Sequence, residues 1–241
     1  MSDHEAGERL ITAERASIAR RPNNIKILST EGNLNGVLMN YGGWGECHIK
    51  IGLVQWRRGE DPRPEFTAGL DAIEQGIAEA IIQDAGSQDI DQLRLQVAQP
   101  IAYLMGRTLP VLEGYAPSED ELPDVVADFV LADALFDRPY KDRLPAVIKA
   151  LGSKKRQMLA LLTFQTYFDL LDAAGNPARI AELAAKGDAN YLRRKKNVFY
   201  SQGAVLSAGG DENDILLDWQ LAAVLKKVGF QGESPNRWRW D

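Results

Sequence analysis

The chain has 241 residues, of which 45% are hydrophobic and 26% are charged, so its composition is that of a soluble globular protein and excludes a disordered chain. Its net charge is -6 and its pI is about 5.1. Because binding to phosphates requires a clustered cationic surface, we expect neither a nucleic-acid nor a membrane partner. The single cysteine, Cys47, excludes an intramolecular disulfide.

Helical periodicity extends over almost the whole chain, without a convincing run of alternating β-branched residues. The pattern predicts an all-α fold: an irregular array of about eight to ten helices in a single domain over residues 1–241. The N-terminus lacks the uninterrupted apolar core of a signal peptide, and no apolar window is long enough to span a bilayer. These features predict a cytoplasmic protein.

The first predicted helix begins near Glu5 and ends near Arg20, because Pro22 follows as a breaker. This would make residues 1–24 a peripheral N-terminal helix. The second predicted helix, from Asn33 to Arg58, contains three closely spaced glycines, each of which costs up to about 1 kcal/mol relative to alanine in a helix interior. We therefore expect a close helix crossing or a break at Gly42, Gly43 and Gly45.

The third predicted helix, from Glu65 to Gln83, repeats apolar residues at steps of three and four, which places them on one stripe. These residues are Phe66, Leu70, Ile73, Ile77 and Ile81. Further along the chain, Pro100 predicts a kink or two shorter helices between Leu93 and Leu112. An acidic helix follows, beginning between Ser118 and Pro123.

The remaining predicted helices are separated by glycine and proline. A short helix is expected from Lys141 to Leu151 and an apolar one from about Ser153 to Ala174. Gly187 is expected to divide the next segment into a helix from Pro177 to Lys186 and another from about Ala189 to Ala208. A last helix reaches Val228, and residues 231–241 form an extended tail. The tail carries Trp238 and Trp240, which either pin it to the body or act as interface anchors.

Acidic residues are concentrated in residues 118–142, where eight acids face two bases, an excess of six that equals the net charge of the whole chain. On a helical wheel, Glu121, Asp124 and Asp128 lie opposite the apolar arc and predict an exposed acidic stripe. Such a stripe is either a solvated helix face or a docking surface for a cationic partner.

Asp133 falls within the apolar arc of the same helix. A carboxylate there must be satisfied by hydrogen bonds or a partner cation, or a bend must bring it to solvent. We therefore include Asp133 among the candidate partner-binding residues. The alternative is a structural role, in which a buried hydrogen bond satisfies the carboxylate.

Glu46, Cys47 and His48 place a carboxylate, a thiol and an imidazole in succession. Adjacent residues on a helix point about 100° apart, so the three cannot all face one ion, and Cys47 is better interpreted as a packed small residue. No phosphate loop, dinucleotide fingerprint or nucleophile elbow is present. The sequence predicts no catalytic residue, no metal and no cofactor.

The late segment of residues 218–225 (DWQLAAVL) and the segments of residues 40–44 (NYGGW) and 52–56 (GLVQW), in a helical and acidic chain, resemble immunity proteins encoded beside bacterial polymorphic or type VI secretion toxins. The resemblance implies a stoichiometric inhibitor that occludes a cognate protein toxin, with an acidic helix imitating the phosphate backbone if the toxin is a nuclease. Glu121, Asp124 and Asp128 would lead that contact. Its oligomeric state is left open.

Two alternatives remain at the level of sequence. One is an all-helical enzyme that uses Asp133 with a basic or histidine partner in a concave pocket. The other is a helical scaffold or adaptor whose groove receives a peptide, in which case neighbouring helices should expose apolar residues together.

Overall fold

The structure, a computed structural model, describes residues 3–110, 123–153, 158–195 and 217–240. Within these ranges the chain forms α-helices, one short 3-10 helix and connecting turns, without a β-strand, which confirms the predicted all-α class. The described residues group into two compact units, the first up to residue 110 and the second from residue 123 onwards. The prediction that residues 1–241 form a single domain stays a prediction.

Three long helices build the first unit, with the second of them in the middle. They are α1 (Asp3–Thr30), α2 (Leu34–Arg57) and α3 (Arg63–Ile82). Shorter elements follow them, namely α4 (Ser87–Ile90), a 3-10 helix (Asp91–Leu93) and α5 (Leu95–Leu104), which contains Pro100. Because α2 packs against both α1 and α3, it is buried along most of its length.

Helix α1 continues through Pro22 to Thr30, so the predicted end at Arg20 is wrong. The helix packs antiparallel on α2. Near one end, Arg58 donates to the Glu8 carboxylate at 2.7 Å, and near the other, Arg21 donates to the Asn40 side-chain oxygen at 3.2 Å. Asn24, which follows the exposed Pro22, donates to the same Asn40 oxygen at 3.4 Å, so α1 is held on α2 on both sides of the proline despite the hydrogen bond that proline removes.

Helix α2 is continuous through its glycines, so the predicted break does not occur. The alternative prediction, a close crossing with a neighbouring helix, is confirmed. A Cβ atom at Gly45 would lie 2.7 Å from the carbonyl oxygen of Gly69 in α3. Conversely, a Cβ atom at Gly69 would lie 2.8 Å from the carbonyl oxygen of Gly45. The two backbones therefore approach more closely than any larger residue would permit.

The second unit contains the acidic helix and the helices around it. They are α6 (Pro123–Leu135), α7 (Leu144–Gly152), α8 (Met158–Asp172), α9 (Pro177–Lys195) and α10 (Trp219–Lys227). Helix α9 runs through Gly187, so the predicted division into two helices is wrong. A Cβ atom at Gly187 would lie 2.9 Å from a methyl carbon of Leu221, so this glycine permits close packing without ending the helix.

A buried carboxylate at Asp218 connects three parts of the second unit. It begins α10 as the N-cap, accepting from the backbone N–H of Leu221 at 2.9 Å. Its second oxygen accepts from the hydroxyl of the fully buried Tyr167 at 2.7 Å. The Asp218 N–H in turn donates to the side-chain oxygen of Asn236 at 2.8 Å. The start of α10, helix α8 and the C-terminal tail are therefore held by one group.

The tail of the second unit lies against its body, so the first of the two predicted roles, pinning, is confirmed. Asn236 donates to the Asp188 carboxylate at 2.8 Å, and Ser234 donates to the same carboxylate at 3.0 Å. Trp238 is buried and contacts Trp240 edge to face, with ring centroids 5.3 Å apart. As predicted, the described residues beyond 230 form no helix.

Candidate functional site

The acidic helix α6 does not present the predicted stripe in the residues that the structure describes. Glu121 lies outside the described residues, and Asp124 is half-buried. Asp128 is buried and accepts a hydrogen bond from the Gln220 amide of α10. The predicted exposure of Asp128 is therefore wrong, because Gln220 supplies the polar partner that permits a carboxylate to be buried.

The surroundings of α6 explain why the wheel misplaced Asp128. Helices α7, α8 and α10 all pack against α6. A helix enclosed in this way is buried on opposite faces, so the division into an apolar and a polar side does not apply. All residues from Ala127 to Leu135 are buried except Asp133, which is half-buried.

Asp133 is satisfied by cations of its own unit, which confirms one of the predicted outcomes for this residue. Its carboxylate accepts from Arg138 at 2.6 Å and from Arg143. Nearby, the exposed Asp137 accepts from Lys227 at 2.6 Å. Arg143 and Lys227, which lie outside residues 118–142, thus balance part of the acidic excess of this segment. The partner-binding role of Glu121, Asp124, Asp128 and Asp133 stays a prediction.

The imidazole of His48 is fixed between two helices of the first unit. Its Nδ1 lies 2.7 Å from a carboxylate oxygen of Glu65, while its Nε2 lies 3.2 Å from the indole nitrogen of Trp44. Because an indole N–H only donates, Nε2 must accept, and the Nδ1–H donates to the carboxylate. Glu65 also accepts from Arg15 of α1. The arrangement orders the interface of α1, α2 and α3 and engages both ring nitrogens.

Cys47 and Glu46 are also buried in this interface. Burial raises the pKa of the Cys47 thiol to about 11, and a hydrogen bond to the Glu14 carboxylate adds to the rise. This confirms the interpretation of Cys47 as a packed residue. Glu46 binds Lys50 at 3.1 Å and Arg94 at 3.5 Å, so its carboxylate is engaged by cations.

We expect the Cys47 thiol to react with a disulfide reagent such as Ellman's reagent at least about 100-fold more slowly in the folded protein at pH 8 than in the unfolded protein. The thiolate is the reactive form, and a pKa of about 11 leaves roughly one thiol in a thousand ionised at that pH. Stopped-flow absorbance with and without guanidinium measures the ratio. Equal rates in the two conditions would contradict the buried, protonated thiol.

One end of the first unit exposes large apolar side chains from all three long helices. We call Ile27, Met39, Ile81 and Ile82 the apolar end. Ile27 is near the C-terminus of α1, Met39 near the N-terminus of α2, and the isoleucines end α3. Because α2 is antiparallel to both neighbours, these termini lie at the same end of the unit. Ile81 is 57% exposed and Ile82 is 74% exposed.

The position of Ile81 corrects the predicted apolar stripe of α3. Phe66, Leu70, Ile73 and Ile77 are buried as predicted, whereas Ile81 is exposed, because the buried face of α3 continues from Ile77 to Ala80, which is 2% exposed, and leaves Ile81 at its edge. The sequence carries one signal that was missed. Ile81 and Ile82 are adjacent at the end of a helix, and adjacent helical residues cannot both face a core on one side.

The segments that carry the apolar end are strongly acidic. Residues 26–41 and 78–92 together contain five acids and one base, Lys26. The acids are Glu31, Glu79, Asp84, Asp89 and Asp91. Glu31 and Asp84 are exposed, and the other three are half-buried. The apolar end is therefore accompanied by negative charge, which neither the wheel nor the local charge count of residues 118–142 indicated.

Comparison of the chain with protein-family models, with curated proteins and with solved structures finds no match. Among the described residues, no group of three or more histidine, cysteine, aspartate or glutamate side chains could hold a metal ion. None of the helices within the described ranges has the length and apolar character needed to cross a membrane.

Proposed function

We propose that this chain is an immunity-type binding protein that neutralises a cognate secreted antibacterial toxin by docking onto it through the apolar end of the first unit. The observation that carries the proposal is the exposure of four large apolar side chains at one end of three packed helices. Exposed apolar groups that lie together on polar surroundings mark protein interaction sites. The proposed contact lies in the first unit and not on the acidic helix.

The apolar side chains supply the expected binding energy. Complete burial of an isoleucine or methionine is worth about 1.5–3 kcal/mol, and a small number of such residues dominate a typical interface. Ile81 and Ile82 should contribute most to binding, because they are the most exposed large apolar side chains in the described part of the first unit. A partner that covers them gains affinity without needing to open the core.

The charges indicate the kind of partner. The net charge of -4 over residues 26–41 and 78–92 complements a basic surface. Nuclease toxins present basic grooves because they bind phosphates. Opposite charges around an apolar contact accelerate association more than they increase the final affinity. A nuclease toxin is therefore the proposed class of partner, and its substrate groove is the proposed site of contact.

The buried polar groups favour binding over catalysis. Both ring nitrogens of His48 are engaged by Trp44 and Glu65. The Asp133 carboxylate, which the enzyme alternative requires, is engaged by two arginines. Groups that hold each other in this way stabilise a fold, whereas a catalytic acid or base needs access to a substrate.

The proposal predicts that exchanging both Ile81 and Ile82 for serine weakens binding of the toxin encoded beside this chain's gene by about 100-fold. Serine and isoleucine have similar helix propensities, and both side chains are exposed, so α3 should remain folded. Titration calorimetry measures the affinity, and growth of cells that express the toxin together with each variant measures neutralisation. Association of the wild type should also slow between about 0.05 M and about 0.5 M NaCl.

Leu192→Ser is the matched control, because Leu192 is 57% exposed, like Ile81, but belongs to α9 of the second unit. We expect this variant to bind and to protect cells as the wild type does. Equal binding by the Ile81→Ser/Ile82→Ser variant and the wild type would place the contact elsewhere. A toxin that the wild type neither binds nor neutralises would overturn the proposed function itself.

A further inference from the structure

Six helices in the described residues end in the same backbone arrangement, in which the residue after the C-cap takes a left-handed conformation. At four of these ends the residue is glycine, namely Gly32, Gly59, Gly106 and Gly229. At the other two it is aspartate: Asp84 after α3, with φ +51°, and Asp137 after α6, with φ +56°. The closing hydrogen bonds are the same, for example from Ala85 N–H to the Ala80 carbonyl at 2.9 Å.

Aspartate is unfavourable at this position for two separate reasons. Glycine adopts the left-handed conformation freely, whereas a side chain with a Cβ atom costs more there, although aspartate and asparagine cost less than most. In addition, the carbonyl groups at the end of a helix carry partial negative charge, so a carboxylate beside them is repelled, whereas a cation is attracted. The same chain uses glycine at four comparable ends, so the fold itself does not require an aspartate.

The two aspartates differ in how this cost is offset. Lys227 of α10 binds Asp137 at 2.6 Å and brings a positive charge to the end of α6. Asp84, by contrast, forms no ion pair with any residue in the described part of the chain. It is exposed and is separated from Ile82 of the apolar end by one residue, Gln83. The end of α3 therefore combines a carboxylate, helix-terminal carbonyl groups and exposed apolar side chains.

We infer that Asp84 binds a cationic side chain of the toxin, an arginine or a lysine. This side chain would pair with Asp84 at the end of α3 as Lys227 pairs with Asp137 at the end of α6. The inference rests on the proposed function and deepens it, because it names the polar contact beside Ile81 and Ile82. A guanidinium can donate two hydrogen bonds to one carboxylate and lay its flat face on neighbouring apolar carbons. Its charge also complements the terminal carbonyl groups of α3.

The test compares Asp84→Gly with Asp137→Gly, its matched counterpart at the end of α6. Both changes remove an aspartate from a left-handed position, and we expect Asp84→Gly to raise the thermal midpoint by about 2–4 °C. With the toxin encoded by the neighbouring gene as the probe, Asp84→Gly should weaken binding by about 10-fold to 100-fold and reduce the salt dependence of association. Asp137→Gly should bind as the wild type does.

Asp84→Asn separates charge from shape, because asparagine keeps the size of the side chain and tolerates the left-handed conformation. We expect it to bind as weakly as Asp84→Gly. If both Asp84 variants bind with wild-type affinity while Ile81→Ser/Ile82→Ser binds more weakly, the role of Asp84 is overturned. The proposed function is then unaffected. A lower thermal midpoint for Asp84→Gly would also overturn the inference, since Asp84 would then stabilise the fold. Absence of binding by the wild type would overturn both.

Discussion

Exchanging Lys50 for methionine is expected to lower the free energy of unfolding by about 3–5 kcal/mol. The Lys50 side chain is buried, and its ammonium group lies 3.1 Å from a carboxylate oxygen of Glu46 and 3.3 Å from one of Glu14. Methionine fills a similar volume but leaves the buried Glu46 and the half-buried Glu14 without their shared cation, and only Glu46 keeps a second one, Arg94. Guanidinium denaturation followed by circular dichroism measures the change at neutral pH.

The pH dependence gives the same prediction a second test. Burial alone would lower the pKa of Lys50, but the Glu46 and Glu14 carboxylates outweigh it, so the pKa is raised. A raised pKa in the folded state means that this contribution is complete below the ordinary lysine pKa and is lost as the pH rises through the folded value. Wild-type protein should therefore lose this stabilisation only in strongly alkaline solution.

The Lys50→Met variant should lack this alkaline loss of stability, because it has no ammonium group to titrate at that position. Arg63→Met serves as the control, because the Arg63 pair with Asp61 is exposed and should have no measurable effect. A Lys50→Met variant as stable as the wild type would contradict the buried network.

The helices of the first unit could be predicted closely where local pattern and tertiary packing agree. The predicted helix from Asn33 to Arg58 is observed as Leu34–Arg57, with Asn33 as the N-cap. Its side chain accepts from the backbone N–H of Gly36 at 2.9 Å, which is a local interaction that the sequence encodes directly. Helix α3 is equally well predicted because a proline begins it and its apolar residues recur at helical spacing.

The errors arose where packing overrides a local signal. Pro22 and Gly187 are both helix breakers by propensity, yet α1 and α9 continue through them. In α1, hydrogen bonds from Arg21 and Asn24 to Asn40 of α2 hold the helix on both sides of Pro22. In α9, the absence of a side chain at Gly187 lets Leu221 approach. Propensity describes an isolated helix, whereas the observed ends depend on the neighbouring helices.

The candidate site depended on information that a single sequence does not contain. Asp128 was expected to be exposed because the wheel assumes that one side of a helix faces solvent, but α6 has neighbours on several sides. Ile81 was expected to be buried because it continues the pattern of Ile77, yet the buried face of α3 continues at Ala80 and Ile81 is exposed. Both errors concern which faces of a helix its neighbours cover, and helical periodicity does not determine that.

Exchanging Gly45 for alanine is expected to lower the free energy of unfolding by about 2–3 kcal/mol and the thermal midpoint by roughly 5–10 °C. The added Cβ atom would lie 2.7 Å from the carbonyl oxygen of Gly69 and would also overlap the side chain of Ile73. Backbone atoms cannot rotate away as side chains do, so α2 and α3 must separate. The better helix propensity of alanine, up to about 1 kcal/mol, offsets only part of this cost.

Gly152→Ala is the matched control, because a Cβ atom at Gly152 would have its nearest contact at 3.6 Å, from a methyl carbon of Leu161. This exchange should leave stability unchanged or raise it slightly. Combining Gly45→Ala with Gly69→Ala gives the sharper test. Each change alone pushes the same two helices apart, so the double variant should lose less stability than the sum of the single losses. Additive losses measured by denaturation would show that the two glycines act at separate contacts, contrary to the crossing of α2 and α3.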